Sequence, residues 1–258
     1  MQKISTICSS YRSYGKIDIL INSFDKQKYN NKELIVVDGS SEKEDFNIIT
    51  KKFYNKKFIK FFHFPNGTIY ECLNKGISES DGTIINIMGD DDFFFNTETF
   101  NEVNNEFNKG INLFYGDTIF KKDEKIVRYY KSFEIKKGFI KLAFIPSHTS
   151  SFISRNLYDK IGVYNTSYKI ASDLDFYFRL LKEKNLRHVY KSKPITIMTD
   201  GGKSNKSLNN VYKSNIEAIT IMKKNNLKFP LLRVIIKLLI KVYLLINFKI
   251  KKNFIDYG

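Results

Sequence analysis

A chain of 258 residues that is 42% hydrophobic and 27% charged is long enough for one substantial domain and apolar enough to bury a core, which excludes a disordered protein. Two cysteines, Cys8 and Cys72, exclude a disulfide framework and a cysteine zinc site. The net charge of +16 is uneven. Residues 201–258 carry 12 Lys/Arg against 2 acids, and residues 1–200 carry 31 against 25, so the tail rather than the body is basic. That argues against nucleic acid, which needs a basic face on the folded domain, and for an anionic surface met by the C-terminus.

Met1-Gln2-Lys3-Ile4 leads into a mixed polar segment with no apolar leader, so a cytoplasmic location is expected. Short β-rich runs follow at Ile4–Cys8, Glu33–Val37, Phe58–Phe62, Thr83–Met88 and Asn112–Tyr115. Amphipathic stretches lie between them. Lys16–Phe24 sets Ile17, Leu20, Ile21 and Phe24 on one face; Phe46–Tyr54 and Tyr70–Ile77 follow; Thr97–Phe107 starts after Asn96, a good N-cap, and turns Phe100, Val103 and Phe107 inward. Alternating strands and helices predict an α/β fold, with a mainly parallel sheet flanked by helices on both faces. Beyond residue 120 the pattern predicts a strand or turn pair at Ile126–Tyr130, a strand at Ser151–Ser154 and a helix at Ser172–Lys184, then a mobile loop at Gly201–Asn205. His188 reads as a strand start and His63 as structural.

Ligands of such sheets sit beyond the carboxyl ends of the strands. Those ends read Ser9-Ser10-Tyr11-Arg12, Asp38-Gly39-Ser40-Ser41 and Gly89-Asp90-Asp91-Asp92, so three of them can converge on one acidic crevice. Adjacent carboxylates repel unless a cation sits among them, and oxygen ligands alone suit Mg²⁺ or Mn²⁺. A solvated acidic turn is the plain alternative.

The ordered set of four motifs resembles the family 2 glycosyltransferases, which have the GT-A fold. Glu33-Leu34-Ile35-Val36-Val37-Asp38-Gly39-Ser40-Ser41 is similar to their nucleotide-binding strand. Ile69-Tyr70-Glu71-Cys72-Leu73-Asn74-Lys75-Gly76-Ile77 is similar to a Gly-Ile-Tyr-Asp-Ala-Met-Asn-Lys-Gly segment, Met88–Asp92 to the metal motif, and Ala171–Leu180 to the segment holding the catalytic base. The set spans roughly residues 3–205, most like bacterial enzymes of O-antigen or capsular polysaccharide synthesis. The chain departs from the pattern with Arg12 for an Asn, Thr68 for a Gly, Glu71 for an Asp, Asp90 for a small residue and Ser172 for a Glu. The resemblance implies an inverting transfer from a nucleotide-diphosphate donor, most often a UDP-sugar, to a saccharide or lipid-linked acceptor in surface polysaccharide (lipopolysaccharide or capsule) synthesis. It implies Asp173 as general base, Asp92 and Asp91 on the metal, and Ser10, Tyr11, Asp38, Asn74, Lys75, Asp90 and Asp91 around the nucleotide, with Tyr11 against the base. His148, just before a strand, is expected near the acceptor, and Gly201-Gly202-Lys203-Ser204 as a closing loop. Asp175 is expected to pair with Arg179 four residues on.

This divides the chain into a nucleotide-sugar half (1–120), an acceptor and base half of the same domain (121–205) and a basic helical tail (206–258). On a helical wheel of Leu231–Phe248, Leu232, Ile235, Ile236, Leu239, Val242, Tyr243 and Ile246 share one face, with Arg233, Lys237 and Lys241 opposite and Lys249, Lys251 and Lys252 after them. Three internal charges argue against a spanning helix and for an in-plane helix over residues 229–252 on an anionic leaflet, peripheral on the inner face of the bacterial cytoplasmic membrane. The alternative is docking on the protein's own core or on a second subunit, as in a homodimer. Two other functions remain. A nucleotidyltransferase would want a Gly-rich basic phosphate loop, which Ser9–Arg12 is not; an inactive nucleotide-sugar-binding protein would not need Asp92 and Asp173.

Overall fold

The computed structural model of the chain describes residues 1–122, 125–132, 134–135, 140–199 and 208–255. Its first half runs β1 (Ile4–Ser10), α1 (Ile17–Asp25), β2 (Lys32–Asp38), α2 (Glu44–Lys52), β3 (Ile59–His63), α3 (Ile69–Glu79) and β4 (Ile84–Gly89). Then come β5 (Phe93–Phe94), α4 (Thr99–Asn108), β6 (Leu113–Lys122), β7 (Lys125–Tyr130), a 3₁₀ turn (Ile140–Leu142), β8 (Ser151–Ser154) and α5 (Arg155–Ile161). The chain closes with α6 (Ser172–Leu180), β9 (His188–Thr199), α7 (Leu208–Lys224) and α8 (Pro230–Ile255).

All strands join one sheet in the order β3-β2-β1-β4-β8-β6-β9-β5, with β7 added to β6. β1 to β4 are parallel, as the alternating pattern predicts; antiparallel pairing begins where β8 joins β4. The chain steps from β1 outward to β3 and then returns to β4 on the other side of β1. The switch point of the sheet therefore lies at the ends of β1 and β4, where Ser10 and Gly89 stand.

Successive strand residues face opposite sides, so one sequence supplies two cores. Ile7, Ile35, Val37, Ile85 and Ile87 pack on the face covered by α3, α5, α6 and α7. Ile4, Cys8, Leu34, Val36, Ile84 and Met88 pack on the face covered by α1, α2 and α4. Burying each of these side chains stabilises the fold by about 1.5–3 kcal/mol before entropy is counted. α3 lies so close to β1 that a Cβ on Gly76 would stand 2.3 Å from Ile7 Cγ2.

Several boundaries differ from those expected. α4 begins two residues late, because Asn96 accepts the Glu98 N–H (2.9 Å) in a turn ahead of the helix. α6 stops at Leu180, four residues early. The Gly201–Asn205 loop lies outside the described residues. The tail is two helices: Phe229 takes a left-handed φ of 56°, and Pro230 opens α8 at a position where its missing N–H costs nothing.

α8 also corrects the helical wheel. It docks on α7, β7 and the 3₁₀ turn, burying Val234 and Lys237. Leu232, Ile235, Leu239, Val242 and Tyr243 face outward. Lys237 therefore points into the protein rather than toward an outer surface. Among the described residues no helix is long and apolar enough to cross a membrane.

Candidate active site

Four segments meet at the switch point. Asp38, at the end of β2, is buried; its Oδ1 accepts from Ser40 Oγ (2.9 Å), with Ser10 Oγ 3.5 Å away, and its Oδ2 is buried without a hydrogen-bond partner. Such an orphaned acceptor suits an N–H or O–H brought by a ligand. Burial pushes the Asp38 carboxyl above its usual range. Ser10 Oγ donates to Ser13 Oγ (2.9 Å), which hydrogen-bonds Asp90, so the ends of β1, β2 and β4 are tied by one chain of hydroxyls and carboxylates. Gly39 is required here, since a Cβ would lie 2.5 Å from the Gly67 carbonyl oxygen. Tyr11 stands 57% exposed above this network, beside Arg12, whose backbone is left-handed and whose N–H is fixed by Ser40 Oγ (3.0 Å). His63 is structural, as expected: it packs on Phe46 and bonds the Ser40 carbonyl (2.9 Å).

Asp92 is only 2% exposed. Its carboxylate folds back over Gly89 and accepts that N–H (3.2 Å); a Cβ on residue 89 would meet it at 2.6 Å. Burial first, and the Asp91 charge second, drive the Asp92 carboxyl up to about 7. Asp91 is also raised, by burial and by Asp90. Thr199, at the end of β9, donates to the Asp91 carbonyl (2.7 Å) and fixes the turn. Among the described residues no three carboxylate, imidazole or thiolate groups form a ready-made metal cage. Asp91 and Asp92 nevertheless fit a hard divalent cation completed by phosphate and water. They offer oxygen alone, and the carboxyls, raised by burial first and by neighbouring acids second, are costly to ionise in a way that a cation would offset.

β8 carries the opposite wall. Asn86 on β4 faces Phe152, and its side chain donates to the carbonyls of Thr149 (3.0 Å) and Ser151 (2.9 Å). Followed toward Gly89, that antiparallel register leads to His148. His148 Nδ1 lies 3.7 Å from Asp173 Oδ2, and the ring is near enough to Asp92 to bear on that carboxyl as well. Asp173, in the first turn of α6, is thus on the same side of the sheet as the acid run.

The segment before Asp173 is held rigidly. Glu217 on α7 accepts three successive backbone N–H groups, Lys169 (2.9 Å), Ile170 (3.0 Å) and Ala171 (2.7 Å), and Tyr70 donates to the Ile170 carbonyl (2.7 Å). Sequence reasoning missed Glu217. The available signal was an acid alone in a strongly basic stretch: residues 201–255 hold no other. Asp175 pairs with Arg179 (3.0 Å), as its spacing predicts.

The structure gives Asn74 and Lys75 other work than the nucleotide contact expected of them. Both ends of the Asn74 amide are taken by the Tyr164 backbone, donating to its carbonyl (2.8 Å) and accepting its N–H (3.0 Å). Lys75 pairs with Glu79 one turn on (2.6 Å). The two residues that break the motif, Thr68 and Glu71, cap α3: Glu71 accepts the Thr68 N–H (2.8 Å) and hydroxyl (2.7 Å). Cys8 and Cys72 are buried with thiols pushed up, as expected of inert packing residues.

The model of the family described as Glycosyl transferase family 2 matches residues 5–180. The chain belongs to that family. Among curated proteins it is 27% identical over 163 residues to a PGL/p-HBAD biosynthesis glycosyltransferase of Mycobacterium bovis, covering 62% of each chain. It is 23% identical to an uncharacterized glycosyltransferase of Rickettsia conorii, over 69% of this chain and 31% of that one. The chain therefore spans less than two thirds of these relatives. Among solved structures, TarS 1–349 of S. aureus in complex with UDP-GlcNAc is similar with a TM-score of 0.65 at 20% identity, over 85% of this chain and 66% of that one. A mannosyltransferase from Pyrobaculum calidifontis in complex with GDP-Man and Mn²⁺ gives 0.61 at 13% identity, over 87% and 64%. The family 2 chain thus has the GT-A fold its motifs predict.

Proposed function

We propose that the protein moves a sugar from a nucleoside-diphosphate donor to an acceptor hydroxyl with inversion at the anomeric carbon. The observation that carries this reading is the position of His148, which stands beside Asp173 and within electrostatic reach of Asp92. One crevice then holds acids for the donor's diphosphate and a separate acid for the acceptor. Ser10, Tyr11 and Asp38 take the nucleoside, with the free Asp38 oxygen accepting from base or ribose and the open Tyr11 ring lying against the base. Mg²⁺ or Mn²⁺ held by Asp92 and Asp91 would offset the charge that develops on the leaving diphosphate. Asp173 takes the acceptor proton as the new C–O bond forms and the bond to the diphosphate breaks. Glu217 and Tyr70 hold the Asp173 segment in place, and fixed geometry of this kind is a large part of such catalysis.

UDP is the first nucleotide to test, and the acceptor is a saccharide or lipid-linked sugar in surface polysaccharide synthesis. The outward apolar face of α8 supports attachment at the inner face of the cytoplasmic membrane. The test is a panel of UDP- and GDP-sugars assayed for donor hydrolysis with Mn²⁺, then NMR of the product's anomeric configuration. Retained configuration would refute the single displacement; transfer to acceptor that persists in Asp173→Asn at the wild-type rate would refute the base.

A further inference from the structure

A cavity of about 200 Å³ opens on Asp173 from the tail side. Its lining includes Asp173, Tyr130 and Ser214, and Lys237 and Lys241 from α8, but neither His148 nor the Asp90–Asp92 run. Asp173 therefore stands between two compartments, an acidic one toward the strand ends and one bearing two lysines beneath α8. Much of the remaining wall is apolar, with Phe144, Ile145 and Leu174.

Lys237 is the anomaly. It is 8% exposed and, among the described residues, is within ion-pair distance of no acid, the Asp173 carboxylate across the cavity attracting it only from farther off. Burying an ammonium without a partner is expensive, and a long lysine side chain normally escapes by reaching for water. Here α8 turns it inward while leaving Ile235, Leu239 and Val242 outside, the reverse of what packing alone favours. Lys241, one turn on, faces the same cavity, so two like charges address one small volume. Burial and the neighbouring Lys241 charge push the Lys237 ammonium down to about 8. Two ammonium groups so placed are costly by themselves, and an anion between them offsets that cost.

We propose that this cavity binds the phosphate of an amphiphilic acceptor, held between Lys237 and Lys241, with the acceptor's hydroxyl at Asp173 and its apolar chain along the outer face of α8. The proposal rests on Asp173 as the base. Two cations against one carboxylate select an anion, and a phosphate ester can meet both lysines at once. The same helix offers cations on its inner side and an apolar stripe on its outer side, which matches a molecule with a phosphate head and a hydrocarbon tail.

The test is equilibrium binding to the full chain of monododecyl phosphate, dodecyl maltoside and inorganic phosphate, all below micellar concentration, with UDP titrated in parallel. Wild type should bind monododecyl phosphate at least tenfold more tightly than dodecyl maltoside. Lys237→Gln should lose at least tenfold for monododecyl phosphate and weaken inorganic phosphate, with dodecyl maltoside and UDP unchanged; Lys237→Arg should retain most of the affinity. Removing an unpaired buried charge should also leave the melting temperature of Lys237→Gln no lower than wild type. Unchanged monododecyl phosphate binding in Lys237→Gln overturns the proposal. So does an equal loss of UDP, which would assign the lysine to the donor. A loss seen only with vesicles containing phosphatidylglycerol, and not with soluble monododecyl phosphate, would assign it to bulk lipid and overturn the proposal as well. Should Lys237→Gln fail to fold, Lys241→Gln, at a more exposed position, carries the same prediction. The two readings fail separately. A wild type that binds no nucleotide defeats the transferase reading, whereas intact UDP binding with a lysine-independent phosphate affinity defeats this one.

Discussion

The buried Asp92 carboxyl makes stability depend on pH in a way that one substitution isolates. Its value moves from 3.8 to about 7, about three units, and at about 1.4 kcal/mol per unit the ionised form costs about 4 kcal/mol in the metal-free protein. The sign follows from proton counting. Between the two values the folded protein holds more protons at this position than the unfolded chain, so stability is highest below about 4 and falls as pH rises through 7. Asn at position 92 keeps the shape and can still accept the Gly89 N–H, but it cannot ionise. Urea unfolding of EDTA-treated wild type and Asp92→Asn should therefore give similar stabilities near pH 4 and a gap approaching 4 kcal/mol in favour of the variant at pH 8. Millimolar Mn²⁺ should close most of that gap at pH 8 by stabilising wild type alone. A gap that does not change with pH, or an equal Mn²⁺ effect on Asp92→Asn, would refute the reasoning.

Asp173→Asn should abolish sugar transfer while leaving UDP affinity and the melting temperature within error, checked by titration and thermal melts; a fall in UDP affinity would show that it serves the donor instead. Glu217→Ala removes the acceptor of three N–H groups and should cost about 2–3 kcal/mol in urea unfolding, with kcat falling more than the donor KM rises. Gly76→Ala places a methyl against Ile7 and should cost about 1–3 kcal/mol despite alanine's better helix propensity; a neutral result would mean that α3 can lift from the sheet. Leu239→Asp with Val242→Asp, both on the outer face of α8, should release the protein from phosphatidylglycerol vesicles in a sedimentation assay without lowering the melting temperature, and continued pelleting would exclude that face as the anchor.

Strands β1 to β4 were readable because parallel strands buried on both faces must be apolar at nearly every position, and little else in the chain looks like that. β9 was readable only at its start, His188: the strand to Thr199 spends its first half partly exposed, carries Lys191, Lys193 and Pro194, and shows a continuous apolar signal only near Ile195. The acid run stood out because adjacent carboxylates at a strand end repel one another, whereas Asp173, in a helix first turn where a carboxylate is at home, stood out only through its motif. His148 was legible only through its motif neighbourhood; its closeness to Asp173 depends on the pairing of β8 with β4, which no local pattern encodes. For Asn74 the structure shows a role that the sequence hides. An amide beside a lysine within a helix offers the right atoms for a phosphate, and nothing in the sequence reveals that the Tyr164 backbone, 90 residues away, holds both ends of that amide. For α8 the wheel separated apolar from basic residues correctly but could not say which side the domain would take.

That grip of Asn74 on Tyr164 bears on how descendants of such a fold should be judged. Together with the close seat of Gly76 on β1, it makes the Asn-Lys-Gly triplet a clasp between the first half of the domain and the loop that leads toward α6. On the proposed mechanism a duplicate gene freed from its chemistry would be under no pressure to keep Asp173, yet would lose stability on shedding the clasp. Finding the triplet therefore vouches for architecture, and on the proposed mechanism it is the acid beyond it that would vouch for turnover.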